Sequence, residues 1–160
     1  MNKLLYYLTF ASALGSGLLS GVFFAFSAFV MTALARLSVD QGISVMQAIN
    51  TTILKSLFIL IFFGATLLAI ILGIASVIKL STAGAAYVFI GSLLIIVGVF
   101  LVTILFNVPL NETLVSVISG SAEGSRVWKA YLVGWMPWNH IRTISSIAAL
   151  ACFIIALRKW

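Results

Sequence analysis

The chain reads as four long apolar stretches joined by shorter polar connections. Runs such as "FILIFF" and "SLLIIVGVFLV" lack the strict alternation of a membrane strand, so the pattern predicts helices and excludes a β-barrel. Each stretch approaches or exceeds the ~20 residues a helix needs to cross a hydrocarbon core of about 30 Å. Spans are predicted near residues 4–35, 54–78, 84–106 and 138–158. The first is free of charge from Lys3 to Arg36, more than a bilayer requires, which implies tilt or projection beyond the core. A lysine before an apolar run can also announce a secretory leader. Here the apolar character continues through "GVFFAFSAFVMTALA", past the ~7–15 residues of a leader core, so a retained helix is predicted.

Composition removes the soluble alternative. Hydrophobic residues make up 63% of the 160 positions and charged ones 8%, with a mean hydropathy of +1.26. A soluble domain of this length could not cover four such segments with polar surface. The predicted fold class is an all-α integral membrane protein. It is a single transmembrane domain over residues 1–160, a four-helix transmembrane bundle with a short interfacial helix before the fourth span. Small residues predict how the helices pack. Gly17 and Gly21 form a GxxxG pair, Ala65, Ala69 and Gly73 recur every four residues, and Gly84, Gly91 and Gly98 every seven. Such stripes let backbones approach closely in lipid, where dispersion drives association.

Four spans put both termini on one side, with Lys3, Lys79, Arg158 and Lys159. The other side carries Arg36, Lys55, Arg126, Lys129 and Arg142, together with Asp40, Glu112 and Glu123. Four bases against five do not decide the orientation by number. The terminal-side bases are packed into very short segments without an acid, which favours cytoplasmic termini. Tyr6, Tyr7, Tyr87 and Trp160 would form the aromatic belt there. Nine basic residues spread over several loops make no nucleic-acid patch, so no nucleic-acid partner is expected.

The polar chemistry gathers on the side away from the termini. In "MQAIN", Gln47 and Asn50 are three apart and share a helical face. In "FNVPLNETL", Asn107 and Asn111 flank Pro109, which predicts a break or kink at the end of the third span. Trp128, Tyr131, Trp135, Asn139 and Arg142 follow one another at steps of three and four, a single helical stripe running from aromatic to amide to guanidinium. Pro137 is expected to interrupt it, separating a short interfacial helix from the fourth span. The only histidine, His140, sits beside the stripe, and Trp138 lies next to it in sequence. Each group also has a plain reading: tryptophans as an interfacial belt, amides as helix caps, the histidine as a structural residue. Their convergence on one bundle end points instead to a site, since polar groups in membrane segments face a protein interior or a wet cavity.

Several chemistries find no residues. No hydrolase-like Ser/His/Asp set, Walker loop or CxxC is present. One His and one Cys, Cys152, cannot provide a conventional zinc, copper or di-iron site, and Cys152 reads as a small core residue. No cofactor is expected. A haem on a single His ligand stays open, though nothing in the sequence asks for one.

The segments "GVFFAFSAFVM", "MQAIN", "FNVPLNETL" and "WKAYLVGWMPWNHIRT" resemble, in order and spacing, those of the anthrone oxygenase-like family of small four-helix membrane proteins. The resemblance spans almost the whole chain. It implies oxidation of a lipophilic aromatic, an anthrone or a phenol- or quinone-related molecule, by O₂ without bound metal or flavin. Such chemistry needs a flat apolar slot, a proton acceptor and donors for a developing oxyanion. On this reading His140 is the base, with Asn139 and Arg142 beside it as catalytic donors. Gln47, Asn50, Asn107 and Asn111 bind the substrate's polar edge, and Trp128, Tyr131, Trp135 and Trp138 its ring. The expected partners are membrane lipids, a small lipophilic aromatic and, in an oligomer, a second copy of the chain.

Two other classes compete. A non-catalytic membrane module that binds a lipid or quinone, or serves as a partner subunit, would show the same polar cluster. A transporter should show polar residues at mid-bilayer depth, where this chain offers little beyond Ser16, Ser20, Thr66, Ser92 and Thr103.

Overall fold

The structure, a computed structural model, describes residues 3–78 and 83–159. Lys79 and Trp160, both assigned above to the terminal side, lie outside the described residues. Five helices account for nearly all of it: α1 (Lys3–Ala35), α2 (Val39–Ile53), α3 (Leu57–Ile78), α4 (Ala85–Val115) and α5 (Ala122–Lys159). No strand occurs among the described residues. Helices α1, α3, α4 and α5, of 33, 22, 31 and 38 residues, are long and apolar enough to cross a membrane. The fold class is therefore the expected one, an all-helical bundle with four membrane-spanning helices.

The fifth helix, α2, is amphipathic. Ser38 caps its start by accepting from the Gln41 backbone N–H at 3.4 Å, and Asp40 in the first turn complements the helix dipole. Its inner face buries Ile43, Met46 and Asn50 at steps of three and four. This short helix lies in the first long connection.

Neither proline ends its helix. Helix α5 runs unbroken through Pro137, so the aromatic segment and the fourth span are one helix. Pro137 and Val133, whose carbonyl loses its helical donor, both sit on the exposed face of α5, where the ring meets no neighbouring helix. Helix α4 likewise continues through Pro109 to Val115. It does so by way of a π-helical turn at Thr103–Asn107, after which an α-helical segment restarts with Pro109 in its first turn. At that position a missing N–H costs nothing. Two further π-helical stretches, Phe26–Val30 in α1 and Leu94–Leu101 in α4, were not foreseen. Wider turns of this kind rotate the side chains that follow and are common at functional sites.

Two apolar clusters hold the bundle. One joins α1, α3, α4 and α5 through Leu19, Phe62, Ala69, Leu72, Val99 and Phe153. The other collects Met31, Ile43, Met46, Leu114, Trp128, Tyr131 and Trp135 around α2.

The small-residue stripes are only partly packing surfaces. A Cβ at Gly91 would lie 2.9 Å from the Phe153 ring, and one at Gly98 would collide with the Ser145 side chain. Those two therefore set how closely α4 meets α5. Ala65 faces Gly15, and Gly73 faces Ser92, as the stripe on α3 implied. Gly84 instead serves the start of α4 with φ of 92°, a left-handed conformation that favours glycine. Gly21 faces open space, so Gly17 and Gly21 do not act as one close-contact pair.

The mid-span hydroxyls divide, with Ser16 and Ser92 buried without a hydrogen-bond partner. Ser20, Thr66 and Thr103 donate to carbonyls of their own helices at 2.7–2.8 Å.

Candidate functional site

The stripe on α5 is the backbone of the site. Trp128, Tyr131, Trp135, Asn139 and Arg142 are all buried. Rings of the first three follow one another at centroid distances of 5.9 and 6.0 Å, with interplanar angles of 11° and 25°. Asn111 of α4 accepts from the Tyr131 hydroxyl at 2.8 Å and the Trp135 indole at 2.9 Å, so both buried polar ends find one acceptor.

Below the aromatics sits an interlocked polar group. Asn139, fully buried, donates through Nδ2 to the Phe23 carbonyl and to Ser27 Oγ, each at 2.8 Å. Its Oδ1 accepts from Arg142 Nη2 at 2.8 Å. Arg142 is only 5% exposed, and its Nη1 reaches Thr103 Oγ1 at 3.4 Å. The guanidinium carbon lies 4.5 Å from the Phe23 ring centroid and 5.1 Å from that of Trp135, within cation–π range. Its Nε has no partner.

These groups form the polar end of a cavity of about 180 Å³ lined by all five helices. Phe23, Phe26, Phe58, Phe62 and Met46 are part of its apolar wall, while Asn50, Asn111, Asn139, Arg142 and Thr103 supply the polar end. Asn50 is 7% exposed, and its Nδ2 is unpartnered. Leu54, Phe63 and Ile104 line the same cavity and are exposed on the outside of the bundle, so it opens sideways.

The residues singled out from sequence divide accordingly. Asn139, Arg142, Asn50, Asn111 and Trp135 meet at the cavity. His140 does not line it. The imidazole is exposed, and its Nδ1 contacts Ser27 Oγ at 2.9 Å. Gln47 ties down the connection between α4 and α5, donating to the Leu114 and Val117 carbonyls at 2.9 Å. Asn107 is buried and donates to the Trp135 carbonyl at 3.4 Å. Trp128 and Tyr131 lie in the apolar cluster around α2, and Trp138 stacks on Phe106 at 3.6 Å.

Sequence reasoning missed Ser27, Phe23, Phe26, Phe58 and Phe62. A lone serine in "AFSAF" was a readable signal for Ser27. Nothing local separates a cavity-facing phenylalanine from a lipid-facing one among the twelve in the chain. Among the described residues no three His, Cys, Asp or Glu side chains gather as a metal site.

The family model for anthrone oxygenase matches residues 56–152, more than half of the chain. The chain belongs to the anthrone oxygenase family. The matched interval holds α3, α4 and most of α5, hence Thr103, Asn111, Trp135, Asn139 and Arg142, whereas Phe23, Ser27 and Asn50 lie before it. No curated protein and no solved structure matches the chain.

Proposed function

We propose that the protein is a membrane oxygenase that oxidises a lipophilic aromatic, an anthrone or a related phenolic, with O₂. The observation that carries this is an apolar cavity, walled in part by phenylalanines, that ends in a buried guanidinium held by an amide. An anthrone has a CH₂ flanked by two aryl rings, opposite a carbonyl. Loss of one of its protons to water at the membrane surface, before the ring enters the cavity, leaves an aromatic phenolate. Arg142 stabilises that oxyanion, and Asn139 fixes the guanidinium by accepting from Nη2. The anion passes an electron to O₂, and the carbon radical and superoxide combine as a hydroperoxide. Loss of water leaves the second carbonyl, so one O₂ gives one quinone and one water.

The reading needs no bound metal or flavin, because the anion itself is the reductant. It assigns His140 the task of orienting Ser27, which in turn accepts from Asn139. It also places both termini in the cytoplasm of a bacterium, supported by Lys3, Lys79, Arg158 and Lys159 on a side without acids.

The test is O₂ uptake and quinone formation with anthrone by purified protein in nanodiscs, alongside metal analysis and a visible spectrum. Acceleration over empty discs that disappears in Arg142→Gln is expected. No acceleration, together with tight binding of a lipid or quinone, would leave the non-catalytic module as the better account.

A further inference from the structure

We propose that the cavity is loaded from within the bilayer, through a mouth between α3 and α4 below the α2–α3 turn. Its ligand is drawn from the leaflet on the side away from the termini, and the aqueous face of the bundle is not the way in. The proposed reaction is relied on only for the kind of molecule that makes the passage, a small lipophilic one.

The aqueous end is packed. Leu114 and Trp128 lie beyond Asn111 and Trp135 toward that face, and with Met31 and Ile43 they form an apolar layer in which each residue is at most 3% exposed. Hydrogen bonds then fasten α2 to the connection after α4. Gln47 Nε2 donates to the Leu114 and Val117 carbonyls at 2.9 Å, and Ser119 Oγ donates to the Asp40 carbonyl at 2.8 Å.

The lateral side is open. Leu54, Phe63 and Ile104 line the cavity, yet they are 65%, 51% and 41% exposed. Toward the termini the seam between α3 and α4 closes where the Phe100 ring meets those of Phe62 and Phe63, at centroid distances of 5.8 and 6.3 Å. The mouth therefore has an aromatic floor and the α2–α3 turn as its roof.

Charge marks its height. Lys55 in that turn and Glu112 near the end of α4 are exposed, and residues 57–78 and 85–111 carry no charge. Exposed charges stay at the interface, because hydrocarbon disfavours them. Phe63 follows Leu57 by six residues and Ile104 precedes Glu112 by eight, which sets both about 9–12 Å below that interface. Half a hydrocarbon core is about 15 Å, so the mouth opens within one leaflet. Its flanks, Leu60 and Leu105, are apolar and exposed, an ordinary surface in lipid. Leu54, beside Lys55, carries the top of the mouth to the interface, so a ring that has met water there can turn in without crossing the core.

Size makes the open side necessary. A cavity of about 150 Å³ can hold one benzene ring. At about 180 Å³ this one takes a single ring, and the rest of a larger molecule stays in the mouth, among lipid chains.

The test uses a ring that cannot leave the membrane: a phosphatidylcholine whose short sn-2 chain ends in a phenyl diazirine, placed in nanodiscs with the protein. Illumination turns the diazirine into a carbene that labels what it touches, with no O₂ involved, and peptide mapping locates the labels. They are expected on Phe23 and Trp135 inside the cavity as well as on Leu60 and Leu105 outside. In the double variant Leu54→Trp/Ile104→Trp the internal labels should be lost and the outer ones kept. The single variant Leu54→Trp, at the most exposed of the three positions, should already reduce them. A membrane-impermeant phenyl diazirine sulfonate should leave the cavity unlabelled. Labels confined to the outside of the unaltered protein, internal labels undiminished by the tryptophans, or internal labelling by the sulfonate overturns the proposal. Internal labels without anthrone-dependent O₂ uptake would sustain the mouth while removing the reaction, and uptake without internal labels would do the reverse.

Discussion

The two ends of the bundle are built on different principles. Toward the termini, α1, α3, α4 and α5 meet through Ala69, Leu72, Gly91 and Phe153, with close backbone approach and few polar contacts between helices. In lipid such contact is driven by dispersion and requires small residues at the crossing points. At the other end the helices are linked by side-chain amides, with Asn111 joining α4 to α5, Asn139 joining α5 to α1, and Gln47 joining α2 to the connection after α4. That end holds the cavity lined by all five helices. Apolar packing closes space, whereas amides and a guanidinium hold helices apart at fixed distances.

The comparison breaks most sharply at Arg142. Arg142→Gln should lower anthrone-dependent O₂ uptake by about 10²–10³, the usual loss when an oxyanion donor is removed. Thermal stability in detergent should not fall, since a buried uncompensated cation is given up. A small activity loss with a large drop in melting temperature would make Arg142 structural.

The terminal end should respond the other way. Gly91→Val forces a side chain into the Phe153 ring and should cost about 1–3 kcal/mol of stability, read as an earlier thermal transition. Gly21→Val points into open space and serves as the control. Similar losses from both would mean that close approach is not what holds this end.

Asn111→Leu tests the amide linkage by leaving the Tyr131 hydroxyl and Trp135 indole without an acceptor. Each buried orphan costs about 1–3 kcal/mol, so a lower melting temperature and weaker arene binding should appear together. Unchanged binding in a destabilised protein would separate the aromatic stripe from the cavity.

The smallest effect is expected at His140. His140→Gln should keep kcat within about threefold, because its exposed ring acts only through Ser27, whereas losing a general base costs about 10²–10⁴. A fall of that larger size would reinstate His140 as the proton acceptor.

Much of the fold was legible because its signals are local. Hydropathy located all four spans, and the steps between Trp128 and Arg142 gave the buried face of α5 before any contact was known. The helix limits were not legible at the prolines. Whether Pro109 or Pro137 ends a helix depends on what surrounds the lost hydrogen bond: a π-helical turn before one and an open face beside the other. The cavity was half legible. Its amides and guanidinium stood out as polar residues in an apolar chain, while the phenylalanines that shape it looked like any others.

By itself, then, the sequence determined a helical membrane protein with one polar end, and an α5 stripe carrying Asn139 and Arg142. Periodicity and hydropathy are properties of each segment alone. Only the tertiary structure decided which polar groups share a cavity and that His140 stands outside it. One residue along a helix of 3.6 per turn swings a side chain by roughly 100°. Adjacent residues such as Asn139 and His140 therefore face an interior and an exterior that only the packed neighbours define.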